Sequence, residues 1–185
     1  KKTNTDEDGV ETETDVELSL KINLAYNPPN WNFTREMLNL GLTSDYTKNI
    51  KFILENVEYN QLSSIYQNGD VFVSPTMGDA FNLPCIEAMA CKLPVITTNF
   101  GGQIDYVNNE NGWLINYELA EVKHDVAYEG NFWAKPDIRH LRNVMRYCYE
   151  NREEVKKKGN LASIKATEYT WENSAKKLLS ILNEL

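Results

Sequence analysis

Hydrophobic positions along the chain follow two different periods, which predicts strands that alternate with helices. Residues 16–24 alternate with a period near two, and residues 51–54 form a short apolar run, so each stretch predicts a strand. Residues 70–75 are almost continuously hydrophobic, which is typical of a strand buried on both faces of a sheet. Residues 94–98 and 113–115 predict two further strands.

Between these strands the apolar positions recur at helical spacing. Thr34 is a candidate cap for a short helix that ends at Gly41, and residues 62–68 show the apolar face of the next helix. Pro84 suits the first turn of a helix that runs to about Cys91, because the N–H that proline lacks is not needed there.

The last fifty residues are predicted to be helical. One stripe repeats at three and four positions and should be buried. Its members are Ile138, Leu141, Val144, Met145 and Cys148. The lysine run Lys156–Lys158, followed by Gly159, is interpreted as a solvated helix end that suits the helix dipole. The final apolar stripe, from Trp171 to Leu185, predicts ordinary core or, alternatively, a surface that packs on a further domain.

This order of elements predicts an α/β fold, a Rossmann-like parallel sheet with helices on both faces. The first 17 residues hold seven acidic residues against two lysines. Such a segment buries too little apolar surface to repay the entropy of ordering it. We therefore interpret residues 1–15 as an acidic flexible tail or loop and residues 16–185 as the folded domain.

Charge and composition exclude several classes of function. The net charge is −8 and the chain beyond the acidic segment is nearly balanced, which argues against nucleic acid as the main ligand. No apolar run approaches the length that spans a bilayer. Three cysteines without scaffold spacing predict reduced, buried thiols in a cytosolic protein, and two histidines outside any ligand cluster predict no metal site.

One loop concentrates the candidate chemistry. Asp79 and Glu87 lie eight positions apart around the start of a predicted helix that follows a buried strand. Ligands of parallel α/β sheets bind in such loops, and free amides at a helix N-terminus favour a phosphate. A carboxylate one turn into the helix can accept hydrogen bonds from sugar hydroxyls. Ordinary capping and dipole compensation produce the same local pattern, so these residues alone leave both interpretations open.

Two longer motifs carry a resemblance to a known family. Within residues 70–96 an apolar strand is followed by Ser-Pro, an acid, an aromatic residue, Leu-Pro and Glu-Ala-Met-Ala. Within residues 101–114, Gly-Gly is followed by an acid and then by Asn-Gly. Together with the C-terminal pattern, residues 50–185 resemble the C-terminal domain of retaining GT-B glycosyltransferases of family 4, also called glycosyl transferases group 1.

The resemblance implies a site for a nucleotide-sugar donor, linked to UDP or GDP, with no metal and no other cofactor. Glu87 would bind the ribose hydroxyls, and Asp79, the implied catalytic residue, would meet the donor sugar. Val57 would lie near the base. The backbone amides of Phe81, Asn82 and Leu83 would hold the sugar and the distal phosphate. Ala80, in the same loop, is a further implied donor contact.

Three positions depart from the family pattern. Asp79 stands where the family has Glu, which places the carboxylate about one methylene further back. Asn82 replaces a common Gly, and Asn tolerates unusual backbone angles better than most residues. Lys92 replaces the Gly that usually ends the helix. We interpret all three as tolerable variation.

The resemblance also implies a partner, the N-terminal GT-B domain that binds the acceptor. We expect the chain to lack that domain and the basic residues that open the donor domain, and so to be inactive alone. The parent enzyme is expected to be cytoplasmic, with any association with the cytoplasmic membrane face made through that absent half. Two alternatives stay open: a non-catalytic binding or scaffold module that kept the fold, and a sugar-nucleotide epimerase-like domain.

Overall fold

In the computed structural model the chain forms two compact units. The first unit is Lys1–Glu58 and the second is Tyr59–Leu185. The structure describes residues 3–5, 11–13, 17–21, 32–41, 50–53, 55, 57–122 and 129–184.

The described part of the first unit contains four strands and one helix. They are β1 (Thr3–Thr5), β2 (Glu11–Glu13), β3 (Leu18–Lys21), α1 (Phe33–Asn39) and β4 (Ile50–Ile53). β3 and β4 pair in parallel, which confirms a strand within the described part of each of the first two predicted stretches. β1 and β2 pair antiparallel within the segment that the sequence predicts to be a tail or loop. The domain boundary after residue 15 stays a prediction.

The cap of α1 differs from the predicted one. Asn32 has an extended backbone and its side-chain oxygen accepts a hydrogen bond from the Arg35 N–H at 2.9 Å. Thr34 lies inside the helix, so its prediction as the cap was wrong. The residue before the first helical turn reaches the free amides, and the helix begins at Phe33. Gly41 has a φ of 70°, in agreement with its predicted place at the helix end.

The described part of the second unit contains five strands and five α-helices. They are α2 (Leu62–Gln67), β5 (Phe72–Ser74), α3 (Leu83–Ala90), β6 (Val95–Thr98), β7 (Gly112–Ile115), β8 (Tyr117–Glu121), β9 (Phe132–Pro136), α4 (Ile138–Glu150), α5 (Arg152–Ala166) and α6 (Trp171–Asn183). β5, β6 and β7 form a parallel sheet in that order, while β8 and β9 form an antiparallel pair. None of the described helices is both long and apolar enough to cross a membrane.

Helices cover both faces of the three-stranded sheet. Val95 of β6 packs in a cluster with buried side chains of α3 and α5. The next residue, Ile96, points to the other face and packs with buried side chains of α4 and with Val155. All four residues of β6 are buried, whereas those of β5, at the edge of this sheet, are half-buried. The predicted α/β fold with a parallel sheet between helices is confirmed.

The lysine run is not the solvated helix end that the sequence suggested. Lys158 is buried in the middle of α5, where it donates hydrogen bonds to the carbonyl oxygens of Asn109 and Gly112. Its ammonium lies 4.6 Å from the centre of the Trp113 ring. Gly159 does not end the helix either. A Cβ at that position would lie 2.1 Å from the Lys92 carbonyl oxygen, so Gly159 marks a close contact between α5 and the end of α3.

The apolar stripe of α6 is not buried in the described chain. None of the residues Trp171–Asn183 is buried, and Trp171 is 92% exposed. The prediction of ordinary core was therefore wrong. The alternative, in which part of the stripe packs on a further domain, stays a prediction. The stripe of α4 is buried at Leu141, Val144 and Cys148, whereas its two other members are exposed.

The end of α3 is a Schellman motif with lysine in the left-handed position. Lys92 has a φ of 65° and donates its N–H to the Met89 carbonyl at 2.9 Å. The Leu93 N–H donates to the Ala88 carbonyl at 3.0 Å, and the Leu93 side chain is buried. Glycine is the residue that this position favours, because a Cβ makes left-handed backbone unfavourable.

We expect Lys92→Gly to stabilise the protein. Relief of the left-handed conformation should contribute about 1–2 kcal/mol, and the greater freedom of glycine in the unfolded chain should offset about 0.5–1 kcal/mol of that. The net gain, about 0.5–1 kcal/mol, is measured by urea denaturation. Lys92→Ala is the matched control, since it removes the same side chain but keeps the Cβ. An equal gain from both variants would contradict this explanation.

Candidate functional site

The acidic loop lies where parallel sheets bind ligands. We call residues 76–82 the β5–α3 loop, since they connect the carboxyl end of β5 to the first turn of α3. Gly101 and Gly102 follow the carboxyl end of the neighbouring strand β6. The two segments are in direct contact, because the Gly102 N–H donates a hydrogen bond to the Asp79 carbonyl at 3.1 Å. The candidate site predicted at this edge of the sheet therefore adjoins a second segment.

Asp79 holds the β5–α3 loop closed on itself. Its Oδ1 accepts hydrogen bonds from the backbone N–H groups of Phe81 at 3.0 Å and Asn82 at 2.5 Å. Aspartate commonly closes a turn in this way, on amides two and three residues ahead. Two of the three amides expected to hold a ligand thus already have an acceptor. The third, the Leu83 N–H, has no acceptor in the described part of the chain.

Asn82 supplies the backbone conformation that the loop needs before α3. Its φ is 61° and its ψ is 63°, in the left-handed region that asparagine enters more readily than most residues. The residue is buried, and its side-chain amide donates to the Ser74 hydroxyl at 3.1 Å. The interpretation of Asn82 as a tolerable replacement for glycine agrees with this geometry.

Tyr106 braces the loop from within the protein, a contact that the sequence did not suggest. Its side chain is buried and its hydroxyl lies 2.5 Å from the Phe81 carbonyl oxygen and 2.9 Å from that of Asn82. The ring packs against Phe81 and Tyr169, with centroid distances of 5.2 and 5.4 Å. Burial raises the pKa of Tyr106 far above its usual value, so the hydroxyl keeps its proton and donates it to the loop.

Gly101 and Gly102 allow the second segment to approach the loop backbone. A Cβ on Gly102 would lie 1.9 Å from the Ala80 carbonyl oxygen, and one on Gly101 would lie 2.6 Å from the Asp79 carbonyl oxygen. Gly101 also has a φ of 93°, which disfavours any side chain. Glycines at these positions therefore set the distance between the two segments that form the site.

Glu87 is held in place by a second unpredicted tyrosine. The residue is half-buried one turn into α3, and its Oε2 accepts a hydrogen bond from the Tyr66 hydroxyl at 2.9 Å. The Tyr66 ring makes an edge contact with Phe72, at a centroid distance of 5.7 Å. In the sequence, Tyr66 falls within residues 62–68, which predict the apolar face of a helix. Its hydroxyl was the one available signal of a polar role.

The structure brings most of the predicted site residues into one segment. Those residues are Asp79, Ala80, Phe81, Asn82, Leu83 and Glu87. Ala80 and Leu83 are exposed, and Phe81 is half-buried. Val57 belongs to the first unit and is half-buried there. Its place near the base stays a prediction.

The three cysteines are free thiols, and burial raises the pKa of each. Cys85 is fully buried on α3, and burial raises the pKa of its thiol to about 12. Cys148 is buried as well, with its pKa raised to about 12 for the same reason, while Cys91 is half-buried. All three are free, as the sequence predicted. Among the described residues, no three His, Cys, Asp or Glu side chains are grouped to hold a metal ion.

The double hydrogen bond of Asp79 leads to a test with matched variants. We expect Asp79→Asn to keep the loop, because the asparagine oxygen accepts the same two hydrogen bonds. Asp79→Glu, the residue common in the family, should lower the free energy of unfolding by about 1 kcal/mol, because its longer chain misplaces the acceptor. Chemical denaturation of both variants measures the difference. Equal stability of Asp79→Glu and the wild type would contradict the capping role.

Comparison with known proteins gives a family match that includes the β5–α3 loop. The sequence model of the family described as glycosyl transferases group 1 matches residues 35–160. A capsular polysaccharide biosynthesis glycosyltransferase, CapM from Staphylococcus aureus, is 49% identical over 53 residues, which is 28% of this chain and 14% of that protein. The chain thus spans a small part of the length of the curated relatives that it matches.

Solved structures share the fold. Sucrose-phosphate synthase from Thermosynechococcus elongatus superimposes with a TM-score of 0.66 at 22% identity, over 91% of this chain and 38% of that one. HepE from Anabaena, in complex with UDP-glucose, superimposes with a TM-score of 0.56 at 20% identity, over 82% of this chain and 36% of that one.

Proposed function

The chain belongs to the glycosyl transferases group 1, whose sequence model covers residues 35–160, and we propose that it binds the nucleotide-sugar donor of such an enzyme. The reaction would transfer a hexosyl group to an acceptor, with retained configuration and without a metal ion. Departure of the nucleoside diphosphate, stabilised by the surrounding dipoles and hydrogen-bond donors, would supply most of the catalytic effect.

The observation that carries this proposal is the first turn of α3. The Leu83 N–H at its start has no acceptor in the described part of the chain, and Glu87 lies one turn further along. A free amide and the helix dipole favour a phosphate group at that point. A half-buried carboxylate nearby suits the paired hydroxyls of a ribose. Together they match the two ends of a nucleoside diphosphate.

The other residues of the loop would complete the donor site. Oδ1 of Asp79 closes the loop, whereas Oδ2 accepts no hydrogen bond from the described residues and would meet the donor sugar. Ala80, Phe81 and Asn82 would border the sugar and the distal phosphate. Val57 would lie near the base. HepE binds UDP-glucose, which makes a UDP-linked sugar the first donor to test and a GDP-linked sugar the second.

The sucrose-phosphate synthase and HepE structures that share this fold are much longer than this chain. The chain covers 38% of the length of the sucrose-phosphate synthase that it resembles. We propose that an N-terminal domain binds the acceptor and that the enzyme works in the cytoplasm, peripheral to the membrane only through that domain. Nucleic acid is not proposed as a ligand, because the charge of the chain is −8.

A non-catalytic binding module is the second candidate. The observation that favours it is the double hydrogen bond to Asp79, which leaves fewer loop amides for a donor than the family pattern implies. Such a module would bind a nucleotide without cleaving its sugar. Release of UDP from UDP-glucose, with transfer of the glucosyl group to an added sugar or to water, is followed over time with the protein in its longest available form. It separates the two candidates, because a binding module leaves the glycosidic bond of the donor intact.

Titration calorimetry with UDP, GDP, ADP and UDP-glucose, without added metal, tests the proposed function. We expect saturable binding of one nucleoside diphosphate, and tighter binding of its sugar conjugate. Binding that required a divalent cation would contradict the metal-independent site. The absence of binding for all four ligands to the whole protein would overturn the proposal.

A further inference from the structure

Tyr66 occupies a fixed position beside the proposed ribose-binding carboxylate. It lies on α2, half-buried, and packs against the cluster that contains Cys85 and Met89 of α3. The edge contact of its ring with Phe72 of β5 restricts the ring further. The hydroxyl of a ring with such contacts has little freedom to move. It can therefore hold the more flexible side chain of Glu87 in one orientation.

That hydroxyl remains a hydrogen-bond donor at any pH at which the protein would work. Burial, and after it the hydrogen bond to Glu87, raises the pKa of Tyr66 far above its usual value. The proton therefore stays on the phenol oxygen and is donated to Oε2 of Glu87 over 2.9 Å.

Because of this hydrogen bond, one oxygen of the Glu87 carboxylate contacts the protein and the other is left for the ligand. Oε2 of Glu87 is engaged by Tyr66, whereas no hydrogen bond from the described residues reaches Oε1. A glutamate side chain otherwise samples several rotamers, and fixing it on binding costs free energy. With Tyr66 in place, part of that ordering is present before any ligand arrives.

We propose that Tyr66 is a positioning residue that orients Glu87 toward the ribose and thereby sets the preference of the site for ribonucleotides. This inference rests on the proposed function of Glu87 as the ribose ligand. Tyr66 itself does not touch the nucleotide. It acts by holding one oxygen of the carboxylate so that the other faces the hydroxyl groups of the sugar.

The test compares UDP and GDP, each with its 2′-deoxy form, on the wild type and on Tyr66→Phe. We expect the wild type to prefer the ribonucleotide by at least about tenfold, because the deoxy form loses a hydrogen bond to a charged group. Tyr66→Phe should bind the ribonucleotide about three- to tenfold more weakly and bind the deoxy form almost as before, so the preference narrows. Loss of structure alone would weaken both ligands equally and would contradict the inference.

Two further variants exclude indirect effects. Tyr147→Phe is the matched control, since the Tyr147 hydroxyl also donates to a glutamate, Glu154, at 2.5 Å, outside the site. It should leave the affinity unchanged. In a double-mutant cycle, the effect of Tyr66→Phe on affinity should be smaller when Glu87→Gln is already present, because the tyrosine then donates to a neutral amide oxygen and not to a carboxylate. Additive effects would overturn the inference.

The outcome also separates this inference from the proposed function. If Glu87→Ala loses the nucleotide while Tyr66→Phe keeps both affinity and ribose preference, the donor site stands and the positioning role is wrong. If Glu87→Ala binds like the wild type, or the wild type binds no nucleotide, the proposed function and the inference are both wrong.

Discussion

Replacing Glu87 with alanine is expected to abolish nucleoside diphosphate binding while the fold stays intact. The proposed contact is a pair of hydrogen bonds from ribose hydroxyls to a carboxylate, and each hydrogen bond to a charged group contributes about 1.5–3 kcal/mol. Their loss should weaken binding by at least about 100-fold. Titration calorimetry with UDP and GDP measures the affinity, and thermal denaturation measures the fold.

The fold should survive because Glu87 makes few contacts. It is half-buried and its one described hydrogen bond is to Tyr66, which is itself held by ring contacts. Glu87→Gln keeps the shape and an acceptor oxygen, so we expect an intermediate affinity. Glu154→Ala is the control for affinity alone, because Glu154 also accepts a hydrogen bond from a tyrosine, Tyr147, away from the site, but in addition pairs with Lys158 at 3.7 Å. Retention of wild-type affinity by Glu87→Ala would exclude Glu87 as the ribose ligand.

The second large effect is expected from Gly102→Ala. The new Cβ would lie 1.9 Å from the Ala80 carbonyl oxygen and 3.0 Å from the Phe81 Cα, and both of these are backbone atoms. Backbone cannot turn away as a flexible side chain would, so the β5–α3 loop must shift. Forcing extra atoms into a packed site costs about 1–3 kcal/mol, and we expect the upper part of that range.

The same shift should weaken nucleotide binding by more than about tenfold, since a displacement of about 1 Å misplaces binding groups. The Gly102 N–H also holds the Asp79 carbonyl at 3.1 Å, a hydrogen bond that the shift would lengthen. Gly69→Ala is the control, because its Cβ would meet only ordinary contacts, the shortest 3.5 Å from the Tyr66 carbonyl oxygen. Urea denaturation and calorimetry of both variants make the comparison. An unfolding free energy for Gly102→Ala equal to that of the wild type would refute the close approach.

Local sequence signals predicted the position of the β5–α3 loop well. The apolar run before Pro75, the proline at position 84 and the helical spacing after it placed a loop between a strand and a helix, where the structure has β5 and α3. Asp79 and Glu87 were predicted to flank the start of that helix, and they do. These signals are local, because each depends on the backbone preferences of residues within about one turn of one another.

The contacts that brace the site could not be read from the same signals. Tyr106 reaches the loop from 24 and 25 positions away, and Tyr66 reaches Glu87 from 21 positions away. Both tyrosines also fit an apolar face, so their polar roles depend on which carbonyl or carboxylate the packed helices bring within reach. Lys158 was misinterpreted for a related reason, since lysine is rarely buried and its two backbone acceptors lie 46 and 49 positions away.

By itself, the sequence determined the α/β class and the loop that carries the acidic pair. Periodicity and turn residues report these directly, because they act through short-range backbone preferences. Only the tertiary structure decided that Asp79 uses two loop amides, that Gly102 and Gly159 mark close approaches of backbone, and that α6 leaves its apolar face exposed. Which face is covered, and which polar groups meet, depends on how separate elements pack together, and no periodicity within one element contains that information.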